Sequence, residues 1–395
     1  MLKIILSKSF KCCGLIIILF SGLTACNQHM EKHEQATITN DPVTTFKMRV
    51  EKLRQKLAIP GLSLAVLYRQ QILLAEGFGY ANLEKQIPAT PETPYHLASL
   101  TKPFSAVVLM KLEEERRLDL DAELAVLLED KVITRGNLTF HGYQEACQKI
   151  REANRNPSFR YASLIKDFRC DSEQITVRHL FTHTAQGVPG TNYRYNGFLF
   201  GFLSSVAETA SGKDFDQLLV ETIIKPLDMD HTIPSWDDRI RNRVLVERAT
   251  YYRKEPTGFV ISEYRTRLSA SAGMVSTVMD LAKFDVAMDR DRVVSNASKE
   301  AMFTATRSNS GIQLPYGLGW FVQEYQGMKL VWHYGHAPKA YSSLFLKCLD
   351  RDATLILLAN SDGASAPFNL GAGDVMRSPF ASAFIAFTDK LESLP

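Results

Sequence analysis

The sequence has almost no excess charge of either sign, and no hydrophobic run long enough to cross a membrane. Its 395 residues include 46 Lys and Arg against 43 Asp and Glu, a formal net charge of +3. Nucleic-acid-binding proteins usually carry a concentrated basic stripe, whereas these basic residues are scattered, so we expect no nucleic-acid partner. With 45% hydrophobic and 23% charged residues, the composition is that of an ordinary globular protein and excludes disordered, fibrous and multi-span membrane classes.

Cysteine is scarce as well, with six residues in the whole chain. Cys147 and Cys170 lie in the same polar segment and could pair in an oxidising compartment, but their spacing leaves this open. Cys348 sits in an apolar stretch and is expected to be a small buried hydrophobe. No cluster of cysteine, histidine and carboxylate residues has the spacing of metal ligands, so we expect no metal and no cofactor.

The N-terminus contains an apolar run, Cys12 to Leu23, preceded by lysines. This run is too short to span a bilayer but has the length of a signal-peptide core. The residues that follow, LTAC at 23–26, resemble the bacterial lipobox, in which Cys26 receives lipid. We expect a lipoprotein signal peptide at 1–25, a flexible tether at 26–45 and a membrane-anchored protein that faces the periplasm or cell exterior. An ordinary signal peptide cleaved nearby is the alternative.

Residues 46–390 are predicted to form one domain. Strand patterns occur near residues 61–75 and return between 317 and 358, with helical patterns between them. These patterns predict an α/β (α+β) fold in which N- and C-terminal segments build one antiparallel sheet flanked by helices. A mostly helical lobe would be inserted at about 112–265, with a polar, basic insertion at about 128–174. The active site is expected in the cleft between sheet and lobe.

Ser99 and Lys102 immediately precede a dense apolar helix. Residues three apart lie on one helix face, so the hydroxyl and the amine can come within hydrogen-bonding reach. A serine hydroxyl is a weak nucleophile until a base takes its proton, and lysine can be that base if its surroundings keep it neutral. A bare Ser-x-x-Lys pattern occurs by chance in most long chains, so its meaning depends on the surrounding motifs.

Several further motifs occur in order along the chain, and together with Ser-x-x-Lys they resemble the serine β-lactamase and penicillin-binding-protein superfamily, specifically its class C, esterase and D-aminopeptidase branch. The resemblance runs from about residue 59 to 360 and implies a β-lactamase/transpeptidase-like fold. The motifs are IPG at 59–61, GFGYA at 77–81, TPYHLASLTK at 93–102, LDLD at 118–121, TVRHLFTHT at 176–184, PLDM at 226–229, AGMVST at 272–277, YGLGW at 316–320 and HYG at 333–335.

The resemblance implies that Ser99 is the acylated nucleophile and that Lys102 receives or shuttles its proton. It assigns Tyr193 to the tyrosine of a Tyr-x-Asn motif, where a phenol can act as general base or acid. The asparagine position of that motif then falls on Tyr195, with Asn196 one residue late. If Tyr195 faces the cleft, the amide that usually holds the substrate carbonyl is missing.

The third motif of the family, His-x-Gly in its esterase-like branch, corresponds to His333 and Gly335. His333 would offer a hydrogen-bond donor or partial positive charge, and Gly335 would let substrate approach the backbone. The resemblance places the oxyanion hole at the backbone N–H groups of Ser99 and His336. His179 and His183 are interpreted as structural residues.

These assignments predict a serine hydrolase that forms an acyl-enzyme at Ser99 on an ester, an amide or a cell-wall D-peptide or β-lactam-like substrate. Esterase or peptidase activity is favoured over efficient β-lactamase activity, because nothing identifies what would position the deacylating water. The alternative is a catalytically impaired, penicillin-binding-like module that binds cell-wall fragments or a protein partner. The sequence leaves the oligomeric state open, and we assume a monomer.

Overall fold

A computed structural model describes residues 41–135, 138–155, 165–170, 174–234, 243–264 and 267–391. The predicted signal peptide, Cys26 and most of the predicted tether lie outside these residues. The strands, in chain order, are β1 (Gly61–Tyr68), β2 (Gln71–Asn82), β3 (Ile87–Pro88), β4 (Tyr95–His96), β5 (Val132–Arg135), β6 (Leu138–His141), β7 (Tyr252–Glu255), β8 (Gly258–Ile261), β9 (Val275–Ser276), β10 (Phe321–Tyr325), β11 (Met328–Ala337), β12 (Tyr341–Cys348) and β13 (Ala353–Ala359).

Seven of these strands form the main sheet, in the order β10-β11-β12-β13-β1-β2-β3. β1 pairs antiparallel with β13, with Leu64 opposite Leu357, so the two ends of the chain meet at the centre of the sheet. Every residue of β13 is buried, and so is β1 apart from its last residue, which explains their nearly continuous apolar sequences. The fold predicted from the sequence, a sheet built from N- and C-terminal segments, is confirmed.

Helices cover both faces of the sheet. The α-helices are α1 (Pro42–Lys56), α2 (Lys102–Glu114), α3 (Leu124–Leu127), α4 (Tyr143–Asn154), α5 (Val177–Phe181), α6 (Gly197–Phe200), α7 (Leu203–Ser211), α8 (Phe215–Leu219), α9 (Arg243–Glu247), α10 (Val278–Asp289), α11 (Asn296–Met302) and α12 (Pro379–Thr388). None of the helices in the described ranges is long and apolar enough to cross a membrane.

Stacked aromatic rings join the helices over each face. On one side, Phe46 of α1 stacks on Phe387 of α12 with ring centroids 4.6 Å apart. On the other, Phe104 of α2 stacks on Phe284 of α10 at 4.1 Å. The strand residues on the two faces belong to two separate hydrophobic clusters, so the sheet is covered on both sides.

The first helix begins earlier than the pattern from Phe46 predicts. Its N-cap is Asp41, whose carboxylate accepts hydrogen bonds from the backbone N–H groups of Val43 and Thr44. Pro42 occupies the first turn, where its missing N–H has no cost. The helix therefore extends into the segment predicted to be tether.

In the insertion, Cys147 of α4 forms a disulfide with Cys170, and their Cα atoms are 5.7 Å apart. The pairing that the sequence left open is therefore made. The free Cys348 is buried, as expected. The disulfide joins α4 to the segment 165–170 of the insertion. Lys166 and Asp167 in that segment form hydrogen bonds with residues 186, 187 and 194, which lie outside the insertion.

A buried ion-pair cluster fastens α10 to the sheet. Lys347 on β12 is 2% exposed and contacts Asp285, which is 1% exposed. Its amine also lies 2.9 Å from Asp289 and 3.4 Å from the Thr354 hydroxyl. Removing one member of such a pair leaves a buried charge without compensation, which costs far more than losing an exposed pair.

We expect Lys347→Met to lower the free energy of unfolding by about 3 to 5 kcal/mol. The matched control is Lys213→Met, which removes an exposed ion pair with Glu221 and should cost less than about 1 kcal/mol. Urea denaturation of the two variants beside wild type measures both values. Equal losses of unfolding free energy in the two variants would show that the buried cluster stabilises the fold no more than an exposed ion pair does.

Candidate active site

Ser99 lies in a 3-10 turn, Ala98–Thr101, that leads directly into α2. Ala98 has a left-handed backbone conformation with φ +50°, which is uncommon for a residue with a side chain. The turn is held in place on both sides: the Leu97 N–H donates to the Met274 carbonyl at 2.9 Å, and the Ser343 hydroxyl donates to the Leu97 carbonyl at 2.8 Å. Ser99 itself is partly exposed, so substrate can reach it.

The lysine of the Ser-x-x-Lys motif reaches the nucleophile. Lys102 Nζ is 2.9 Å from Ser99 Oγ and donates to the Ser271 carbonyl at 3.0 Å. The Lys102 side chain is completely buried. Its amine also lies 5.0 Å from the ring centre of Tyr195 and 5.2 Å from that of Phe200. The structure therefore brings together the two residues that the sequence analysis paired.

The structure places the two candidate tyrosines in different surroundings. The Tyr193 hydroxyl donates to the Gly371 carbonyl at 3.1 Å, and the Tyr193 ring packs near Tyr316. Tyr195, in contrast, lies over Lys102 and beside Ser99. The geometry therefore favours Tyr195, rather than the predicted Tyr193, as the phenol of the catalytic group.

Burial determines the charge of that phenol. It raises the pKa of Tyr195 well above its ordinary value, and the neighbouring Tyr334 phenol raises it further, while the adjacent Ser99 side chain lowers it. Tyr195 is therefore neutral near pH 7 and can donate a proton. A role as a proton donor or shuttle fits this environment better than that of a resident phenolate base.

If Tyr195 is the tyrosine of the second motif, the asparagine position falls on Gly197. A Cβ atom added to Gly197 would lie 3.9 Å from Lys102 Nζ, so this glycine faces the amine. Asn196 is buried: its Oδ1 caps α6 by accepting from the Leu199 N–H, and its Nδ2 donates to Gln186. Under this assignment, the residue at the asparagine position of the motif is a glycine and provides no side-chain amide.

His333 on β11 is completely buried. Its Nδ1 lies 2.8 Å from the Tyr334 carbonyl, and its Nε2 lies 3.0 Å from the Tyr316 hydroxyl. Because a carbonyl only accepts, Nδ1 carries the proton and Nε2 accepts from Tyr316. Burial, reinforced by nearby Lys102, holds the pKa of His333 well below its ordinary value. His333 is therefore neutral and does not provide the partial positive charge that the sequence suggested.

Gly335 allows β11 to approach the nucleophile turn. A Cβ atom at this position would collide with the Leu97 carbonyl and the Ser343 hydroxyl. The next residue, His336, pairs with Ser342 of β12, and its imidazole Nε2 lies 3.9 Å from Asp362 Oδ2. Ser99 and His336 thus belong to the two elements that Gly335 brings into contact. The oxyanion role of their N–H groups stays a prediction.

The sequence patterns did not indicate that Tyr195 lies over Lys102 or that Tyr316 contacts His333. The sequence contained one signal about this segment. Asparagine is favoured at helix N-caps, so Asn196 predicts a helix that begins at Gly197 and an Asn196 side chain that bonds to that helix. Within the described ranges, no group of three or more histidine, cysteine, aspartate or glutamate side chains is arranged to hold a metal ion.

Comparisons with known proteins identify the family of this chain. The family model described as Beta-lactamase matches residues 46–374. Penicillin-binding protein 4* of Bacillus subtilis (strain 168) is 28% identical over 323 residues, which cover 74% of this chain and 66% of that protein. The chain thus spans just under two thirds of this relative's length.

Solved structures share the fold. The octameric penicillin-binding protein homologue from Pyrococcus abyssi aligns with a TM-score of 0.66 and 22% identity, covering 87% of this chain and 77% of the other. D-amino acid amidase from Ochrobactrum anthropi SV3 aligns with a TM-score of 0.59 and 17% identity, covering 88% and 99%. At such identities these likenesses show a common fold.

The two tyrosines can be separated by matched substitutions. Tyr195→Phe removes the hydroxyl beside Ser99 and should lower kcat/KM by about 100- to 10,000-fold, the usual contribution of a positioned proton donor. Tyr193→Phe removes only the hydrogen bond to Gly371 and should lower it less than about tenfold. Steady-state hydrolysis of an alkyl ester, whose leaving group needs a proton, by both variants measures this difference. The reverse order would restore the original assignment to Tyr193.

Proposed function

The chain belongs to the β-lactamase family, and from that premise we propose that it is a serine hydrolase of the cell envelope that forms an acyl-enzyme at Ser99. Its substrate would be an ester, an amide or a cell-wall D-peptide, with esterase or peptidase activity favoured over efficient β-lactamase activity. The family supports a serine hydrolase in general. The observation that carries the proposal is the 2.9 Å distance between the buried Lys102 amine and the Ser99 hydroxyl.

In the acylation step, the Ser99 oxygen attacks the substrate carbonyl carbon while its proton passes to the uncharged Lys102 amine. The resulting tetrahedral oxyanion requires fixed N–H donors, the role proposed for the backbone of Ser99 and His336. When the intermediate collapses, the bond to the leaving group breaks. The leaving oxygen or nitrogen takes a proton from Tyr195, and Tyr195 recovers it from the Lys102 ammonium.

Deacylation repeats these steps with water as the nucleophile. The water gives its proton to Lys102, adds to the acyl carbonyl and displaces Ser99, which recovers a proton as the carboxylic acid leaves. Lys102 Nζ lies 5.0 Å from the centre of the Tyr195 ring, so the base and the phenol are neighbours. The exchange requires the amine and the hydroxyl to come within hydrogen-bond reach during the reaction. No group outside Ser99, Lys102 and Tyr195 is required to move protons in this scheme.

The recognition groups of the site support a substrate without a carboxylate next to the scissile bond. His333 is neutral and both of its ring nitrogens are already hydrogen-bonded, so the third motif provides no cation. The partly exposed Tyr193, Tyr195 and Tyr334 offer aromatic surface instead. An unpaired carboxylate buried against such surface would lose its hydration without compensation.

The alternative is a catalytically impaired module that binds cell-wall fragments or a partner. The replacement of the usual amide by Gly197 favours this reading, since one substrate contact is lost. The two proposals differ in whether Ser99 forms a covalent adduct. The contact between Ser99 and Lys102 favours the enzyme, because a pure binding site does not need a buried amine beside a hydroxyl.

We expect wild-type protein to gain the mass of one fluorophosphonate adduct and to hydrolyse p-nitrophenyl esters, and Ser99→Ala to lose both properties. Alanine removes only the attacking oxygen, so the thermal midpoints should agree. Intact-mass spectrometry measures the adduct, and an ester assay measures the hydrolysis. Mass spectra of protein purified from membranes would also show whether Cys26 carries a lipid. The proposal of a serine hydrolase would be refuted if the wild-type protein formed no adduct and Ser99→Ala hydrolysed the ester as fast as wild type.

Selectivity can be tested with a matched substrate pair, acetyl-D-alanyl-D-lactate and its methyl ester. The two share the ester bond between the D-alanyl and D-lactyl units. Its cleavage releases acetyl-D-alanine, which is the product measured, because the methyl ester contains a second ester bond. Because the third motif offers no cation, we expect the methyl ester to be hydrolysed with a kcat/KM at least about tenfold higher, the effect of little more than 1 kcal/mol of unpaired charge. A preference for the free acid would show that another cation recognises it.

A further inference from the structure

The residues on both sides of Tyr195 donate backbone hydrogen bonds to a single residue, His183. The His183 carbonyl accepts from the N–H of Arg194 at 2.9 Å. Its ring Nδ1 accepts from the N–H of Asn196 at 3.1 Å. His183 therefore fixes the chain immediately before and immediately after the phenol that lies over Lys102.

This double contact depends on an uncommon backbone conformation. His183 follows α5 with φ +59°, in the left-handed region that side-chain-bearing residues rarely adopt. The residue is 3% exposed, and its ring centroid lies 4.5 Å from that of Tyr195. A strained conformation persists only where the surrounding structure over-determines it, and such positions cluster at functional sites.

The imidazole is neutral, as an acceptor at Nδ1 requires. Burial, reinforced by nearby Lys102, holds the pKa of His183 well below its ordinary value. With Nδ1 accepting from Asn196, the single ring proton lies on Nε2. The hydrogen bond to the Tyr195 loop is therefore present throughout the pH range in which the enzyme would work.

The Tyr195 hydroxyl lies beside the Ser99 side chain, but that contact does not fix its direction. In the part of the chain that the structure describes, the buried Tyr195 hydroxyl has no hydrogen-bond partner of normal geometry. Its direction is therefore set by its backbone and by ring packing against His183, Phe321 and Tyr334. Of these three rings, only His183 also binds the backbone on both sides of Tyr195.

We propose that His183 is a positioning residue that fixes Tyr195 beside Ser99 and Lys102. The proposal rests on the proposed function, in which Tyr195 donates the proton to the leaving group. A displacement of about 1 Å at a catalytic group can cost about 100-fold in rate. Loss of the His183 contacts should therefore lower turnover much more than substrate binding.

Two substitutions test the effect of the side-chain acceptor separately from the effect of the backbone conformation. Glycine and asparagine both tolerate positive φ, so His183→Gly and His183→Asn can keep the left-handed turn. Only asparagine retains an acceptor, its Oδ1, close to the position of Nδ1. We expect kcat to fall about 100-fold in His183→Gly, with KM changed less than about threefold, and to be restored to within about tenfold of wild type in His183→Asn.

His179 provides the matched control, because it is a histidine of the same segment with a local task. Its Nδ1 accepts from the Thr176 N–H at 3.1 Å and completes the cap of α5. His179→Ala should lower the thermal midpoint by weakening this cap while leaving kcat within about twofold of wild type. A purely structural role of His183 would instead make His183→Gly behave like His179→Ala.

Crystal structures of wild type, His183→Gly and His183→Asn read the position of Tyr195 without any substrate. We expect its hydroxyl to move by about 1 Å or more in the glycine variant and to return in the asparagine variant. A Tyr195 side chain that stays within about 0.5 Å in His183→Gly overturns the inference, whatever the activity. Absence of Ser99-dependent hydrolysis in wild type would refute the proposed function separately, while the position of Tyr195 still decides the role of His183.

Discussion

Lys102 is completely buried, and its amine lies 2.9 Å from the Ser99 hydroxyl. A buried amine is costly unless its hydrogen bonds are made, and here the Ser271 carbonyl accepts one of them. The faces of two aromatic rings at 5.0 and 5.2 Å add a favourable surrounding for a positive charge. The same site thus supports the amine both before and after it receives a proton, which proton transfer in acyl transfer requires.

The rest of the fold holds this contact in place. The nucleophile turn pairs through Leu97 with Met274 on one side and with Ser343 of β12 on the other. Gly335 lets β11 lie directly against the turn, where any side chain would collide with the Leu97 carbonyl. The central sheet therefore serves as a rigid support against which the serine, in the turn that precedes α2, keeps its orientation. Positioning on regular elements is more accurate than positioning on loops alone.

Much of this arrangement follows from local sequence. The apolar runs at both ends of the chain predict the two-ended sheet, and the three-residue spacing of Ser99 and Lys102 predicts their contact. The identity of the catalytic tyrosine does not follow in this way. Tyr193 and Tyr195 are two residues apart in a non-helical segment, and tertiary contacts, above all those of His183, determine which one lies over the lysine.

The pairing of the two cysteines and the roles of the two histidines also do not follow from local sequence. Spacing left open whether Cys147 and Cys170 pair, because pairing depends on the distance between chain segments and not on their sequence. His179 and His183 are four residues apart in the same motif, yet one caps a helix and the other binds both sides of Tyr195. Their different tasks arise from the backbone turn at His183, which a sequence pattern does not specify.

The site contains the groups that perform the chemistry, but the groups that would recognise substrate differ from the usual motifs. The nucleophile, the amine and a neutral phenol are close together, as acyl transfer needs. With Tyr195 as the motif tyrosine, the asparagine position falls on Gly197, and the third motif provides His333 as a neutral, fully hydrogen-bonded residue. Loss of substrate contacts alone changes which acyl group binds, since the attack requires only a hydroxyl, a base and oxyanion donors. The altered motifs therefore bear on specificity, while the contact between the hydroxyl and the amine is kept.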